Sequence, residues 1–113
     1  MDIVVEEVAT GATKVMLRGR FDTTAAVLFE LPFNTVASEK KAIVVDISAV
    51  EFLASYAVRV LLLGAKVVAG KGGKLAILCP HDNNVAKVLR TAGVGKVIPI
   101  VEREDAALAA VAG

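Results

Sequence analysis

The chain has 113 residues, of which 56% are hydrophobic and only 4% aromatic, and its formal net charge is +1. This length is typical of one domain with a single aliphatic core, and we expect that domain to span residues 1–113. The near-neutral charge and the scarcity of aromatic side chains argue against nucleic acid as a partner, because that role uses a basic surface and stacking rings.

The predicted secondary-structure elements alternate between strands and helices. Strands are expected at residues 3–8, 13–18, 41–46, 74–79 and 96–101, and helices at 24–29, 55–69, 84–92 and 104–111. The stretch 9–12 suits a short hairpin loop between the first two strands. Pro32 breaks or restarts the first helix, because proline lacks a backbone N–H.

The order of these elements predicts the fold class. Strands that alternate with helices pair in parallel through right-handed crossovers. The opening hairpin adds an antiparallel edge. We therefore predict an α/β domain with one mixed sheet, an N-terminal hairpin and helices packed against the sheet.

Ser55 is the most informative single residue, because it lies where a predicted loop after residue 47 meets the second helix. A hydroxyl at that point can cap the helix by accepting from the free N–H groups of its first turn. The same position would bring a phosphate to the positive end of the helix dipole. Capping is the commoner role for serine, so the residue type alone leaves a structural and a phosphorylated Ser55 both open.

The helix that begins at Ser55 has two faces when its residues are placed at about 100° each. The predicted core face comprises Ala57, Leu61, Gly64 and Val68. The opposite face carries Ser55, Arg59, Leu62 and Lys66, which we call the Ser55 stripe and expect to be exposed. A basic, partly apolar stripe that leads to Ser55 suits a protein contact whose strength depends on charge at the helix start.

Motifs for catalysis or metal binding are incomplete in this sequence. Residues 64–72 resemble a phosphate-binding loop, but the spacing is one residue too long and the magnesium-binding Ser or Thr is missing. A Ser55–His81–Asp46 triad lacks the Gly-x-Ser-x-Gly turn around its serine. Cys79 and His81 alone cannot build a zinc site. We therefore predict that the protein is not an enzyme and binds no metal or cofactor.

Three features bear on the cellular compartment. The longest apolar stretch, residues 60–69, is interrupted by Lys66 and is too short to span a bilayer. The start of the chain lacks the basic region of a signal peptide. The single cysteine, Cys79, excludes an internal disulfide. We expect a cytoplasmic protein without a membrane span.

Residues 46–55, DISAVEFLAS, resemble the signature of STAS domains, the family of anti-sigma-factor antagonists. In that signature Asp-Leu-Ser and Val-x-Phe precede a phosphoacceptor serine, which falls on Ser55. Residues 19–22, GRFD, resemble the family's Gly-x-Leu-Asp, whose aspartate falls on Asp22 near that serine. Two further segments, 71–75 and 88–94, also resemble family patterns, so the resemblance covers most of the chain.

The resemblance implies a phosphorylation switch. The unphosphorylated protein would bind an anti-sigma factor that is also a serine kinase, and so free a sigma factor. Phosphorylation of Ser55 would release it, and a serine phosphatase would restore it. The sequence departs from the family pattern beside the serine, with Ala54 in place of an aspartate, Tyr56 in place of a small residue and Ala57 in place of a glycine. These departures leave the kinase undefined.

The sequence is also compatible with two other functional hypotheses. One is a STAS module that does not switch and only scaffolds a larger assembly, such as a stressosome or a lipid-transport complex, with Ser55 merely a cap. The other is a small nucleotide-binding domain or enzyme, which the incomplete phosphate loop disfavours.

Overall fold

A computed structural model describes residues 2–80 and 82–112, so His81, the histidine of the incomplete triad, lies outside the described residues. The elements, in chain order, are β1 (Asp2–Glu7), β2 (Thr13–Phe21), α1 (Thr23–Glu39), β3 (Ala42–Leu53), α2 (Ser55–Gly70), β4 (Lys74–Leu78), α3 (Asn84–Thr91), a 3₁₀ turn (Val94–Lys96), β5 (Ile100–Val101) and α4 (Glu104–Val111).

The strands form one sheet in the order β1-β2-β3-β4-β5. β1 pairs with β2 antiparallel, and the other neighbouring strands pair in parallel. In the hairpin turn the Val8 N–H donates to the Ala12 carbonyl at 2.9 Å. The predicted α/β fold, with one mixed sheet and an N-terminal hairpin, is confirmed.

The two faces of the sheet are covered by different helices. Ile43 and Val45 of β3 belong to the larger core cluster, which includes buried residues of α1, α2 and α3. Val44 lies between them in sequence and packs on the other face, with Ala107 and Val111 of α4. Because alternate side chains of a strand point to opposite faces, a continuous apolar run is what a strand covered on both sides requires.

β3 is longer than the sequence predicts. Residues 48–53 continue the strand beside β2, as far as the pair Phe21–Leu53, so the predicted loop after residue 47 is wrong. The register of β2 against β3 shifts twice, between Met16 and Arg18 and between Gly19 and Arg20. Gly19 has a φ of 95°, which residues with a side chain rarely adopt. The extension brings the end of β3 level with the end of β2.

α1 runs unbroken through Pro32, so the predicted break is also wrong. Phe29, Phe33 and Ala37 are buried on one stripe that spans the proline. Their burial holds both halves of the helix against the sheet, while Pro32 is exposed on the outer side, where the carbonyl that loses its helical partner can meet water.

The last strand is shorter than the predicted 96–101. Residues 94–96 form the 3₁₀ turn, and only Ile100–Val101 pair with β4. Pro99 has no N–H to donate to the ladder, although its carbonyl still accepts from the Ile77 N–H at 2.8 Å.

Candidate functional site

Ser55 is the first residue of α2, and the N-cap position belongs to Ala54. The Ala54 N–H donates to the Phe21 carbonyl at 2.8 Å, and the Ala54 carbonyl accepts from the Val58 N–H at 3.2 Å. Because the extended β3 ends one residue before Ala54, the helix begins there and Ser55 falls inside its first turn. The predicted capping role of Ser55 is therefore wrong, and the N-cap residue Ala54 makes no side-chain cap hydrogen bond.

The hydroxyl of Ser55 is the only serine hydroxyl of the described chain without a hydrogen-bond partner. The Ser38 hydroxyl donates to the Asn34 carbonyl at 2.8 Å, and the Ser48 hydroxyl donates to Asp46. Ser55 is exposed at the surface. Its hydroxyl is thus accessible and has no structural bond to lose.

Asp22 caps α1, the helix that begins beside α2. Its carboxylate accepts from the Ala25 N–H at 2.9 Å. Phe21 at the end of β2 pairs with Leu53 at the end of β3, and the Phe21 carbonyl accepts from the Ala54 N–H. α1 and α2 therefore begin at the ends of two paired strands. The Asp22 carboxylate is thus engaged in capping α1.

Tyr56 attaches the first turn of α2 to α1. Its hydroxyl donates to the Glu30 carboxylate at 2.5 Å, and the ring packs against the core. This hydrogen bond is the main reason why the pKa of the Tyr56 hydroxyl is raised above its ordinary value of 10.0. The bulky residue next to Ser55 is thus held by the neighbouring helix.

The predicted core face of α2 is confirmed, because Ala57, Leu61, Gly64 and Val68 are all buried. Gly64 allows close approach to α1: a Cβ there would lie 2.2 Å from the Phe33 ring.

On the Ser55 stripe, Arg59 and Lys66 are exposed with Ser55, as predicted. Leu62 is different, because it is half-buried and packs against the larger core cluster. The expectation that Leu62 is exposed is therefore wrong. Leu62 therefore contributes to packing.

A groove between the start of α2 and α3 extends the candidate site beyond the Ser55 stripe. It encloses about 430 Å³ and is lined by Ser55, Asn84, Lys87, Val88, Thr91 and Ala92. The α3 residues are spaced by three and four, so they share one face of that helix. The sequence analysis missed this surface. The signal was present, because Val85, Ala86 and Leu89 form a buried face opposite to it.

Asp46, the remaining member of the rejected triad, lies far from Ser55. The seven steps along β3 from Asp46 to Leu53 alone span roughly 23 Å, at about 3.3 Å per residue. Asp46 instead lies 3.5 Å from Lys14, which also binds Glu104 of α4. The bond to Glu104 is the main cause of the raised pKa of Lys14. This cluster therefore joins α4 to the sheet.

Two further observations concern the described residues 2–80 and 82–112. Within them, no three His, Cys, Asp or Glu side chains are grouped as metal ligands would be. None of the helices in these ranges has the length and apolar character needed to cross a membrane.

The family model for the STAS domain matches residues 4–107. The chain belongs to the STAS domain family. Among proteins with curated functions, none matches the sequence significantly.

Solved STAS structures have the same fold. An anti-sigma factor antagonist from Mycobacterium paratuberculosis is 27% identical, with a TM-score of 0.87 over 97% of this chain and 92% of that one. An anti-sigma-factor antagonist domain protein from Planctomyces limnophilus is 21% identical, with a TM-score of 0.83 over 97% of both chains. SpoIIAA from Bacillus, in its phosphorylated form, is 20% identical, with a TM-score of 0.70 over 93% of this chain and 96% of that one.

Proposed function

We propose that this STAS domain is an anti-sigma-factor antagonist controlled by phosphorylation of Ser55. When Ser55 is unphosphorylated, the domain binds an anti-sigma factor that has serine kinase activity, and a sigma factor is released. The kinase then phosphorylates Ser55 and the complex dissociates. A serine phosphatase returns the domain to its binding form. In this role the domain regulates transcription in the bacterial cytoplasm and is not itself an enzyme.

The state of the Ser55 hydroxyl carries this proposal. Ser55 is exposed, and its hydroxyl has no partner within the described chain, whereas Ser38 and Ser48 both donate to neighbouring groups. A kinase can reach such a hydroxyl without first breaking a hydrogen bond. Likeness to the antagonist from Mycobacterium paratuberculosis supports the same assignment.

The position of Ser55 supports a switch that leaves the fold intact. A phosphate adds about −1.5 to −2 charges at pH 7. On the first residue of α2 that charge lies at the positive end of the helix dipole, so the folded domain tolerates it. A partner docked on Ser55, Arg59 and Lys66 would instead meet an added negative charge in its interface, which weakens binding.

A pull-down from native cell extract, with and without ATP, tests the proposal. We expect an anti-sigma factor to be retained without ATP and lost with ATP, and phosphopeptide mapping to find the phosphate on Ser55. Ser55→Ala is the matched control and should retain the partner under both conditions. Stable phosphate on Ser38 or Ser48, with Ser55 unmodified, would refute the proposal.

A non-switching scaffold module, as in a stressosome or a lipid-transport complex, is the second candidate. It is favoured by an apolar surface on the outer sides of α1 and α2. The exposed residues there are Val27, Leu28, Leu31, Leu63 and Val67. Where such groups form a large patch, they mark an interaction site. In such a module the partner would bind with equal affinity whether residue 55 is Ser, Ala or Asp.

A further inference from the structure

We propose that Lys87 of α3 binds the phosphate of phosphorylated Ser55, so that phosphorylation joins α2 to α3 across the groove between them. This inference rests on the proposed function and names the residue that receives the phosphate. Lys87 is not on the Ser55 stripe, and no sequence motif points to it.

The lining of the groove carries the inference. Ser55 comes from α2, and the other described lining residues come from one face of α3 and from its C-cap, Ala92. Within residues 2–80 and 82–112, Lys87 is the only charged residue that lines the groove, so no described carboxylate there competes for its ammonium group. A lysine ammonium has three donors on a flexible stem and binds phosphate as a point charge.

Lys87 is available for this role. It is exposed, and it has no ion pair within residues 2–80 and 82–112. Arg90, on the same helix, differs because its guanidinium lies 3.0 Å from the Asp82 carboxylate. A phosphate on Ser55 can therefore bind Lys87 without breaking an existing ion pair of that lysine.

Other charges near Ser55 act from outside the groove. Asp22 at the start of α1 opposes the phosphate, and Arg59, one turn further along α2, favours it. Neither lines the groove. Their contributions are the same in any variant of Lys87, so a substitution there isolates the effect of the lysine.

The ion pair between the Ser55 phosphate and Lys87 would change the surface that is accessible to a partner. A phosphate bound to Lys87 lies across the groove and covers part of the face that includes Val88 and Thr91. Phosphorylation then acts in two ways, by adding charge to the start of α2 and by closing a surface that is open in the unphosphorylated domain.

The test uses the full chain with phosphoserine installed at position 55 during synthesis, so no kinase is needed. Phosphorus NMR at low salt follows the second ionisation of the phosphate. In Lys87→Gln we expect its pKa to rise by roughly half a unit, the effect of losing one positive charge about 4 Å away in a solvated site. Lys87→Arg should restore the lower value. Lys96→Gln, which removes an exposed charge outside the groove, is the matched control.

The same phosphate pKa in wild type, Lys87→Gln and Lys96→Gln would overturn the pairing. That result would leave the proposed switch standing, because the switch requires only that Ser55 is phosphorylated and that the phosphate weakens binding. Failure of the native kinase to modify Ser55 would refute the switch without affecting this titration, so the two ideas fail separately.

Discussion

α1 and α2 begin side by side at the ends of two paired strands, yet their starts are built differently. At α1 the Asp22 carboxylate accepts from the Ala25 N–H at 2.9 Å and closes the helix end. At α2 the N-cap is Ala54, which has no polar side chain, and the serine falls one position later. One helix start thus uses its polar side chain for stability, and the other leaves its hydroxyl free.

At this edge of the sheet the polar side chain of Asp22 therefore serves stability, whereas that of Ser55 is available for function. α2 can do without a side-chain cap because other contacts hold its first turn: the Ala54 N–H binds Phe21, and the Tyr56 hydroxyl binds Glu30. A modification of Ser55 therefore need not cost the fold a hydrogen bond. A modification of Asp22 would cost one.

Removing the cap of α1 should have the largest effect on stability. Asp22→Ala leaves the first-turn N–H of Ala25 without its partner, and we expect a loss of about 1 kcal/mol in the free energy of unfolding. Urea denaturation measures it. Asp22→Asn retains a capping side chain and is the control. An Asp22→Ala variant as stable as wild type would show that α1 needs its cap no more than α2 does.

Adding a cap to α2 should have a somewhat smaller effect, of opposite sign. Ala54 has the extended backbone of an N-cap, with φ −72° and ψ 157°, so Ala54→Ser supplies an acceptor where none exists. We expect a gain of about 0.5 kcal/mol or more in the free energy of unfolding. If the variant is no more stable than wild type, or is less stable, the first-turn N–H groups of α2 already have another partner.

The hydrogen bond from Tyr56 to Glu30, which holds the first turn of α2 although that helix has no side-chain cap, can be followed by titration. Tyr56 is the only tyrosine and the chain has no tryptophan, so its ultraviolet absorbance reports one group. Hydrogen bonding to Glu30 raises the pKa of Tyr56, and Glu30→Gln should lower it towards 10. Because the folded pKa is raised, the stability from this bond is present below about pH 10 and is lost as the pH rises through the folded pKa. Identical titration curves for wild type and Glu30→Gln would mean that the bond does not hold the first turn.

The smallest effect is expected for Ser55→Ala. Replacing a serine that capped α2 would lower the free energy of unfolding by about 1 kcal/mol. Removing a free, exposed hydroxyl should lower it by no more than about 0.5 kcal/mol. Denaturation of Ser55→Ala and Asp22→Ala under the same conditions compares the two helix starts directly. Equal losses for both variants would restore the capping role to Ser55.

Much of the fold could be predicted from periodicity alone. The segment 41–46 was predicted to be a strand, and the spacing of Ala57, Leu61 and Gly64 indicated the core face of α2. Both are confirmed, because burial patterns of this kind are local properties of the sequence. The end of β3 was missed because residues 48–53 are held by pairing with β2, which depends on a bulge near Gly19 and is not a local property.

The candidate site was harder to predict for the same reason. The predicted helix start at Ser55 is right, but the N-cap was placed one residue late, which turned a free hydroxyl into a predicted cap. Only the pairing of β3 with β2 fixes where the strand ends and the cap begins. Leu62 was expected to be exposed from helical spacing, but the neighbouring core covers part of it. The groove with Lys87 depends on how two helices distant in sequence lie together, which spacing within one helix cannot show.

Calorimetric titration of one anti-sigma factor with three forms of the domain, carrying Ser, Ala or Asp at position 55, tests the central claim most directly. We expect Ser and Ala to bind with similar affinity, because the hydroxyl has no structural bond to lose. We expect Asp to bind at least about tenfold more weakly while remaining folded, because a charge is introduced where the partner docks and the first turn of a helix tolerates it. Equal affinities for all three forms would contradict the switch and leave Ser55 an ordinary surface residue of a scaffold.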